Sequence, residues 1–289
     1  MSKGLKLRNL LHSEALTFAL EAHNGASALI VEEAGFEVIW ASGLTLSTSL
    51  GHRDCNELSW TNSCDQYEYM ADATTIPILV DGDTGFGNFN NVRMLVRKLC
   101  KYGIAGVCFE DKVFPKTNSF IPHNQQLASV EEFAGKIRAA KDSQTESGFC
   151  VVARTEAFIA GRGVGEALER AIAYKEAGAD AILVHSKKST IEEIALFCEE
   201  WDYSIPLVVV PTTYAATSLD TYKRLGISMV IWANHLLRAS ITAMRDAASR
   251  IYQEQSVLGV EKGIATVKEL FDLVNEDELR VAEERYLAR

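Results

Sequence analysis

Two aspartates stand two residues apart, Asp81 and Asp83 in VDGDTGFG, at the end of a β-branched apolar run. On a pleated strand, residues i and i+2 project to one side, so both carboxylates face the same way. Glu110 and Asp111 close a similar run in VCFEDK, and Asp54 follows another in GHRDCNE. Acids gathered from neighbouring strand ends repel one another unless a cation or cationic side chains sit among them. The Asp-x-Asp pair, the Glu-Asp pair and Asp54 therefore read as a candidate cation site, and oxygen-only ligation suits the hard ions Mg2+ and Mn2+.

Arg154 follows VVA, and Glu156 stands two residues further on. A guanidinium facing a strand interior needs an anion, either Glu156 in a salt bridge or a carboxylate or phosphate of a ligand. His185 ends LVHSKK, where it can give a phosphoryl oxygen a hydrogen bond or serve as a satisfied core histidine. His23 and His235 occupy comparable strand ends, and Tyr214 follows the seventh run. Ser42, Gly43 and Leu44 come directly after Trp40-Ala41. A glycine there lets backbone N–H groups approach an anion, the alternative being a plain turn.

These residues need elements to position them, and the chain supplies eight short apolar runs. They are LTFALEAHNG, EVIWASG, IPILVDGDTGFG, AGVCFEDK, FCVVARTEA, DAILVHSKK, IPLVVVPTTY and ISMVIWANH. Helix-like stretches such as ASALIVEEAG, NVRMLVRKLCKYG, GEALERAIAYKEAG and TIEEIALFCEEW lie between them, several ending in Gly as helix C-termini do. Alternating strands and helices in one domain-sized chain predict a (β/α)8 barrel of residues 1–289. An open doubly wound sheet is the alternative, but no GxGxxG follows the first strand. The polar residues collect at the C-terminal strand ends, the face where barrel enzymes place their sites. Residues from about 112 to 130 show no strand or helix period and read as a long functional loop. Beyond about residue 240, ITAMRDAASRIYQEQ and TVKELFDLVNEDELRVAEERYL continue with helical periodicity. The stripe of Val267, Leu270, Phe271 and Val274 must bury its apolar face somewhere, so a partner subunit is expected.

Of the 289 residues, 47% are hydrophobic and 24% charged, the proportions of an ordinary globular chain. A net charge of -10 repels nucleic acid and anionic lipid, so an anionic substrate requires a local cationic site. Six cysteines without CxxC spacing suit a reduced, cytoplasmic protein. The segment MSKGLKLRNLLHSE reads as a short amphipathic helix and not as a secretory signal, and no run reaches the length of a membrane span.

Taken together, WASGLTLS, DGDTGFGN, EDKVFPKTNS, VARTEAFIAG, ILVHSKK and VIWANHLLRAS resemble the isocitrate lyase and phosphoenolpyruvate mutase superfamily over nearly the whole chain. The phosphoenolpyruvate mutase family within it is the most similar, and the spacing from Glu110-Asp111-Lys112 to Asn118-Ser119 is the specific signature. The resemblance implies a Mg2+-dependent isomerase, with Mn2+ as the second ion, interconverting phosphoenolpyruvate and 3-phosphonopyruvate. It also implies a homotetramer, a dimer of dimers with swapped C-terminal helices. By the same resemblance, Asp81 is the direct metal ligand, and Asp54, Asp83 and Glu110 reach the ion through waters. Ser42 with the backbone of Gly43 and Leu44 would hold the carboxylate and enolate oxygens, with Trp40 as a pocket wall. Arg154, His185 and Asn118 would hold the phosphoryl group, while Lys116, Asn118 and Ser119 belong to a gating loop. Asp54 falls at the family's candidate nucleophile.

Departures from relatives narrow the expectation. Lyases of the superfamily carry Cys-Gly-His in the loop, where this chain has Thr117, Asn118 and Ser119. Phosphonopyruvate hydrolase, the alternative activity, carries Thr at the position of Asn118. A non-catalytic barrel subunit is the third reading. After Ser119 the sequence FIPHNQQLA lacks the His-Asp-Gly-Arg run of relatives, so altered loop closure or substrate grip is expected. The loop is expected to be mobile when empty and ordered when ligand is bound.

Overall fold

Alternation along eight short strands sets the architecture. In a computed structural model, which describes residues 1–122 and 125–287, the strands are β1 (Thr17–Ala22), β2 (Val38–Ala41), β3 (Ile78–Asp81) and β4 (Gly106–Glu110). They continue as β5 (Cys150–Thr155), β6 (Ala181–Val184), β7 (Leu207–Val209) and β8 (Ile227–Trp232). Each pairs in parallel with the next and β8 pairs with β1, closing the barrel and excluding the open sheet. Every second residue points inward. The interior core holds Val38 and Trp40 of β2, Leu79 of β3, Cys108 of β4, Cys150 and Val152 of β5, and Leu183 of β6, with their counterparts from the remaining strands. Two residues further along each strand, the same inward parity reaches Ser42, Asp81, Glu110, Arg154 and His185.

Among the described residues, nine helices of the barrel unit surround the strands and close its base. They are α1 (Lys3–Leu11), α2 (Gly25–Glu33), α3 (Gly43–Ser49), α4 (Trp60–Ala73), α5 (Phe89–Lys101), α6 (Val130–Ser143), α7 (Gly163–Glu176), α8 (Glu192–Glu200) and α9 (Leu219–Arg224). The amphipathic first helix buries Leu7 and Leu11 in the barrel core, and Ser2 caps it by accepting from the Leu5 N–H. At Gly4 an added Cβ would lie 2.7 Å from the Gly148 backbone, so only glycine allows this approach. Strands β2 to β7 are buried on both faces, as a strand between core and helix layer requires. The ends of the barrel seam differ. Phe18 and Leu20 of β1, and Ser228 and Trp232 of β8, are only partly buried, with Phe18 stacked on Trp232 at 6.0 Å.

The loop read between 112 and 130 is present and its base is closed by backbone pairing. Lys112 bridges Leu127, Val113 N–H donates to Gln126 O at 3.1 Å, and Ala128 N–H donates to Asp111 O at 2.8 Å. Of the divergent FIPHNQQLA stretch, His123 and Asn124 lie outside the described residues.

The chain divides into a barrel unit, Met1–His235, and a second unit, Leu236–Arg289. The latter carries most of α10 (His235–Glu254), then α11 (Val267–Leu273) and α12 (Glu276–Tyr286). The last periodic stretch is thus two helices, because Asn275 adopts a left-handed conformation, φ 56°, that breaks the run. Val267, Leu270, Phe271 and Val274, the stripe read from the sequence, are all more than half exposed on the single chain. Among the described residues no helix is long and apolar enough to cross a membrane.

Candidate active site

Strand-end residues and the loop enclose a small cavity of about 50 Å3 at the C-terminal face of the barrel. Trp40, Ser42, Leu44, Asp81, Asn118, Ser119, Arg154 and His185 line it, so most of the substrate-binding set read from the sequence converges. Phe120, Val210, Thr212 and Asn234 line it too, without having been singled out from the sequence. Phe120 closes the cavity edge-on to His185, with ring centroids 6.2 Å apart. Alternation could have shown Thr212, two residues beyond inward-facing Val210.

One side of the site is acidic. The β3 turn keeps its ladder past the strand end, with Gly82 N–H donating to Cys108 O and Glu110 N–H to Asp83 O, each at 2.8 Å. Asp83 has φ 50° there, so the Asp-x-Asp pair is held by a turn as well as by a pleat. Asp81 Oδ2 accepts from Gly43 N–H at 3.2 Å, and a Cβ on Gly43 would stand 3.0 Å from Asp83 Oδ1. Gly43 therefore gives its N–H to Asp81 in this structure, while Ser42 caps α3 by accepting from the Thr45 N–H at 3.4 Å.

Lys116 reaches into this group, 2.8 Å from Asp54 Oδ1 and 2.5 Å from Asp83 Oδ1. Asn118 Nδ2 donates to Asp54 Oδ2 at 2.5 Å. Asn56 was missed by sequence reasoning, yet it donates to Asp83 Oδ2 at 2.9 Å and accepts the Lys116 N–H at 2.8 Å. Burial disfavours an ionised Asp54, but the Lys116 charge and hydrogen bond, the Asn118 amide and Arg154 together hold its carboxyl below the ordinary value. Asp83 goes the other way. Burial, with repulsion from Asp81, Asp54 and Glu110, outweighs Lys116 and pushes it up to about 8. Burial likewise raises Glu110, whose Oε1 is buried without a hydrogen-bond partner.

The other side is cationic. Arg154, paired with Glu110 across β4 and β5, places Nη2 3.4 Å from Glu110 Oε2 and donates from Nε to Glu156 Oε1 at 2.6 Å. His185 Nδ1 lies 2.7 Å from the same Glu156 oxygen and 2.8 Å from Arg154 Nη2. Burial and the Arg154 charge lower the His185 pKa. Glu156 is held well below the usual range because Arg154, His185 and Lys112 overcome its burial. The salt bridge expected between Arg154 and Glu156 is present, and Arg154 also lines the cavity.

Asp111 has to be corrected. Adjacent to Glu110 on a strand, it points to the opposite side and leaves the acidic group. Its Oδ2 accepts from Tyr174 Oη at 2.7 Å and Arg170 Nη1 at 3.1 Å, and Oδ1 accepts the Glu156 N–H at 2.8 Å. His23 binds Glu21 through Nδ1 at 2.7 Å, His235 meets Trp232 edge-on at 6.1 Å, and Tyr214 is buried. None of these three lines the cavity.

Among the described residues, no three His, Cys, Asp or Glu side chains converge to ligate one ion together. The donor set, oxygen-only carboxylates with Glu110 Oε1 buried and without a hydrogen-bond partner, fits a hard cation.

A family model described as phosphoenolpyruvate phosphomutase matches residues 7–252. The chain is 52% identical over 286 residues to the phosphoenolpyruvate phosphomutase of Tetrahymena pyriformis, covering 99% of this chain and 95% of that protein. Among solved structures, phosphoenolpyruvate phosphomutase from Streptomyces platensis subsp. rosaceus superposes with a TM-score of 0.96 at 43% identity, covering 99% of both chains. A phosphonopyruvate hydrolase complex with oxalate and Mg2+ superposes with a TM-score of 0.94 at 40% identity, covering 100% of both.

Proposed function

Because the chain belongs to the phosphoenolpyruvate phosphomutase family, we propose that it is an isomerase interconverting phosphoenolpyruvate and 3-phosphonopyruvate. The observation that carries this reading is one small cavity lined by Arg154, His185 and Asn118 together with Ser42, Leu44 and Asp81. A phosphoryl group moving between the enol oxygen and C3 of pyruvate needs positioning and charge complementarity, and it needs water kept out. Arg154 and His185 hold the phosphoryl oxygens, and Asn118 donates its amide to them as the group migrates. Asp54, held ionised by Lys116 and Asn118, is the candidate nucleophile and is tied to the cavity through Asn118, which lines it. Ser42 and the backbone of Leu44 hold the pyruvate oxygens, joined by the Gly43 N–H once the Asp81 carboxylate that takes it in this structure turns away. Mg2+, with Mn2+ as the second choice, would be held by Asp81 directly and by Asp54, Asp83 and Glu110 through waters. When bound it supplies positive charge opposite the enolate oxygen.

Phosphorus NMR of phosphonopyruvate with enzyme and Mg2+ should show phosphoenolpyruvate growing in with little orthophosphate. Pyruvate and orthophosphate as the main products would establish hydrolysis instead. Replacing Asn118 by Ala removes a hydrogen bond to a charged group, about 1.5–3 kcal/mol of barrier stabilisation, or roughly one to two decades in rate. The loss should fall on kcat more than on KM, and an unchanged kcat would remove Asn118 from the mechanism.

We also propose that α10–α12 are exchanged between subunits of a homotetramer. Support comes from two sets of partly uncovered residues, Phe18 and Trp232 on the barrel seam and the exposed Val267, Leu270 and Phe271 on the second unit. Truncation after Ala239 should give insoluble or misassembled protein in size-exclusion chromatography, and a soluble active monomer would contradict the exchange. The six cysteines are free and five of them buried, which suits a reducing cytoplasm.

A further inference from the structure

Lys112 is 1% exposed, although it lies at the start of a surface loop. A lysine is seldom buried so completely unless its ammonium is paired. All three of its N–H groups have a partner within reach. Nζ donates to Thr117 O at 2.7 Å and to Ser119 Oγ at 2.8 Å, and it lies 3.1 Å from Glu156 Oε2. Ser119 is equally saturated. Its hydroxyl donates to Glu156 Oε2 at 2.6 Å and accepts from Lys112 and, at 3.2 Å, from Arg154 Nη2.

Glu156, fully buried, joins the two halves of this network. Through Oε1 it meets Arg154 Nε at 2.6 Å and His185 Nδ1 at 2.7 Å, and through Oε2 it meets Ser119 and Lys112. A carboxylate offers about four lone-pair sites, and here each is used. Displacing the Thr117–Ser119 segment would leave the Lys112 ammonium and one Glu156 oxygen buried with broken contacts, which the low dielectric makes costly.

We propose that Lys112 and Glu156 are positioning residues that set the phosphoryl-binding pair and the Thr117–Ser119 segment as one unit. One Glu156 oxygen orients Arg154 and His185, while the other, with Lys112, holds Asn118 and Ser119 over the same cavity. The catalytic geometry therefore exists only when the loop is seated. This inference rests on the reading that the cavity takes a phosphoryl group.

The test uses the full chain with Mg2+ and two readouts, phosphonopyruvate turnover by phosphorus NMR and trypsin cleavage after Lys116, which is only 6% exposed, with oxalate as the bound probe. Lys112→Met should keep the wild-type circular dichroism spectrum and lower kcat about 10- to 100-fold, the loss of hydrogen bonds from a charged donor. Cleavage after Lys116 should accelerate by a comparable factor. Glu156→Gln should also raise KM, because Arg154 and His185 lose their common carboxylate. The double variant should lose less than the sum of the single losses, since Lys112 and Glu156 contact each other and share Ser119 as a partner. Ser119→Ala, which removes only a hydroxyl, should accelerate cleavage in the same direction and carries the test if Lys112→Met does not fold. Wild-type cleavage rates in both Lys112→Met and Ser119→Ala would overturn the proposal, as would strictly additive effects in the double variant. Orthophosphate from the wild-type chain would overturn the mutase reading and leave the cleavage and additivity results to decide this one.

Discussion

Asp81→Ala protein should fold, fail to hold Mg2+ and turn over phosphonopyruvate at least about a thousand-fold more slowly, the loss expected when several kcal/mol of charge stabilisation disappear. Asp81 lies just beyond the apolar interior of the barrel, at the end of β3, and lines the cavity. Its carboxylate accepts only from the backbone of its own turn and the neighbouring one, Asp83 N–H at 3.3 Å and Gly43 N–H at 3.2 Å. The core below it, with Leu79, Trp40 and Cys108, does not depend on that carboxylate. Isothermal titration with Mg2+, phosphorus NMR rates and a thermal melt of the same sample separate the effects. Wild-type turnover by the variant in metal-free buffer would refute the cation site.

Asp111→Ala has the opposite signature, a large loss of stability. Asp111 is fully buried and accepts hydrogen bonds from Arg170, Tyr174 and the Glu156 backbone. Removing Asp111 breaks a buried ion pair and leaves the Arg170 side chain, only 8% exposed, with the partly exposed Glu166 at 2.9 Å as its remaining carboxylate, at a cost of at most about 3–5 kcal/mol, that of a fully uncompensated charge. The urea midpoint should fall accordingly. Arg170 also donates to Ala128 O at 3.0 Å, at the base of the loop, so loosening there should accompany the destabilisation. A midpoint within experimental error of wild type would show that Glu166 alone compensates Arg170. Comparing the two variants should separate neighbouring roles: the acid on the inward face of the strand ends is expected to affect turnover, and the one bonded to Arg170 and Tyr174 ties α7 to the barrel.

Periodicity in the sequence determined the strands, the barrel and the face that carries the site, because period-two alternation and helix caps are properties of contiguous residues. The same local logic gives the inward parity of Trp40, Asp81, Glu110, Arg154 and His185, and it separates Glu110 from Asp111, although that step requires applying the pleat to adjacent acids. The break at Asn275 was less legible, since the apolar stripe runs through it and only the left-handed backbone reveals two helices. Tertiary structure alone decided the pairings. Lys112 and Lys116 lie in a loop whose sequence names no partner for either, and they are buried because barrel closure brings Glu156 to one and Asp54 with Asp83 to the other. Asn56 gave no signal in the sequence, since its partners Asp83 and Lys116 come from separate loops. A side chain's own type sets what it can donate or accept, but its partner and charge state depend on which strand ends the closed barrel sets beside it, and that proximity is not a property of any one segment.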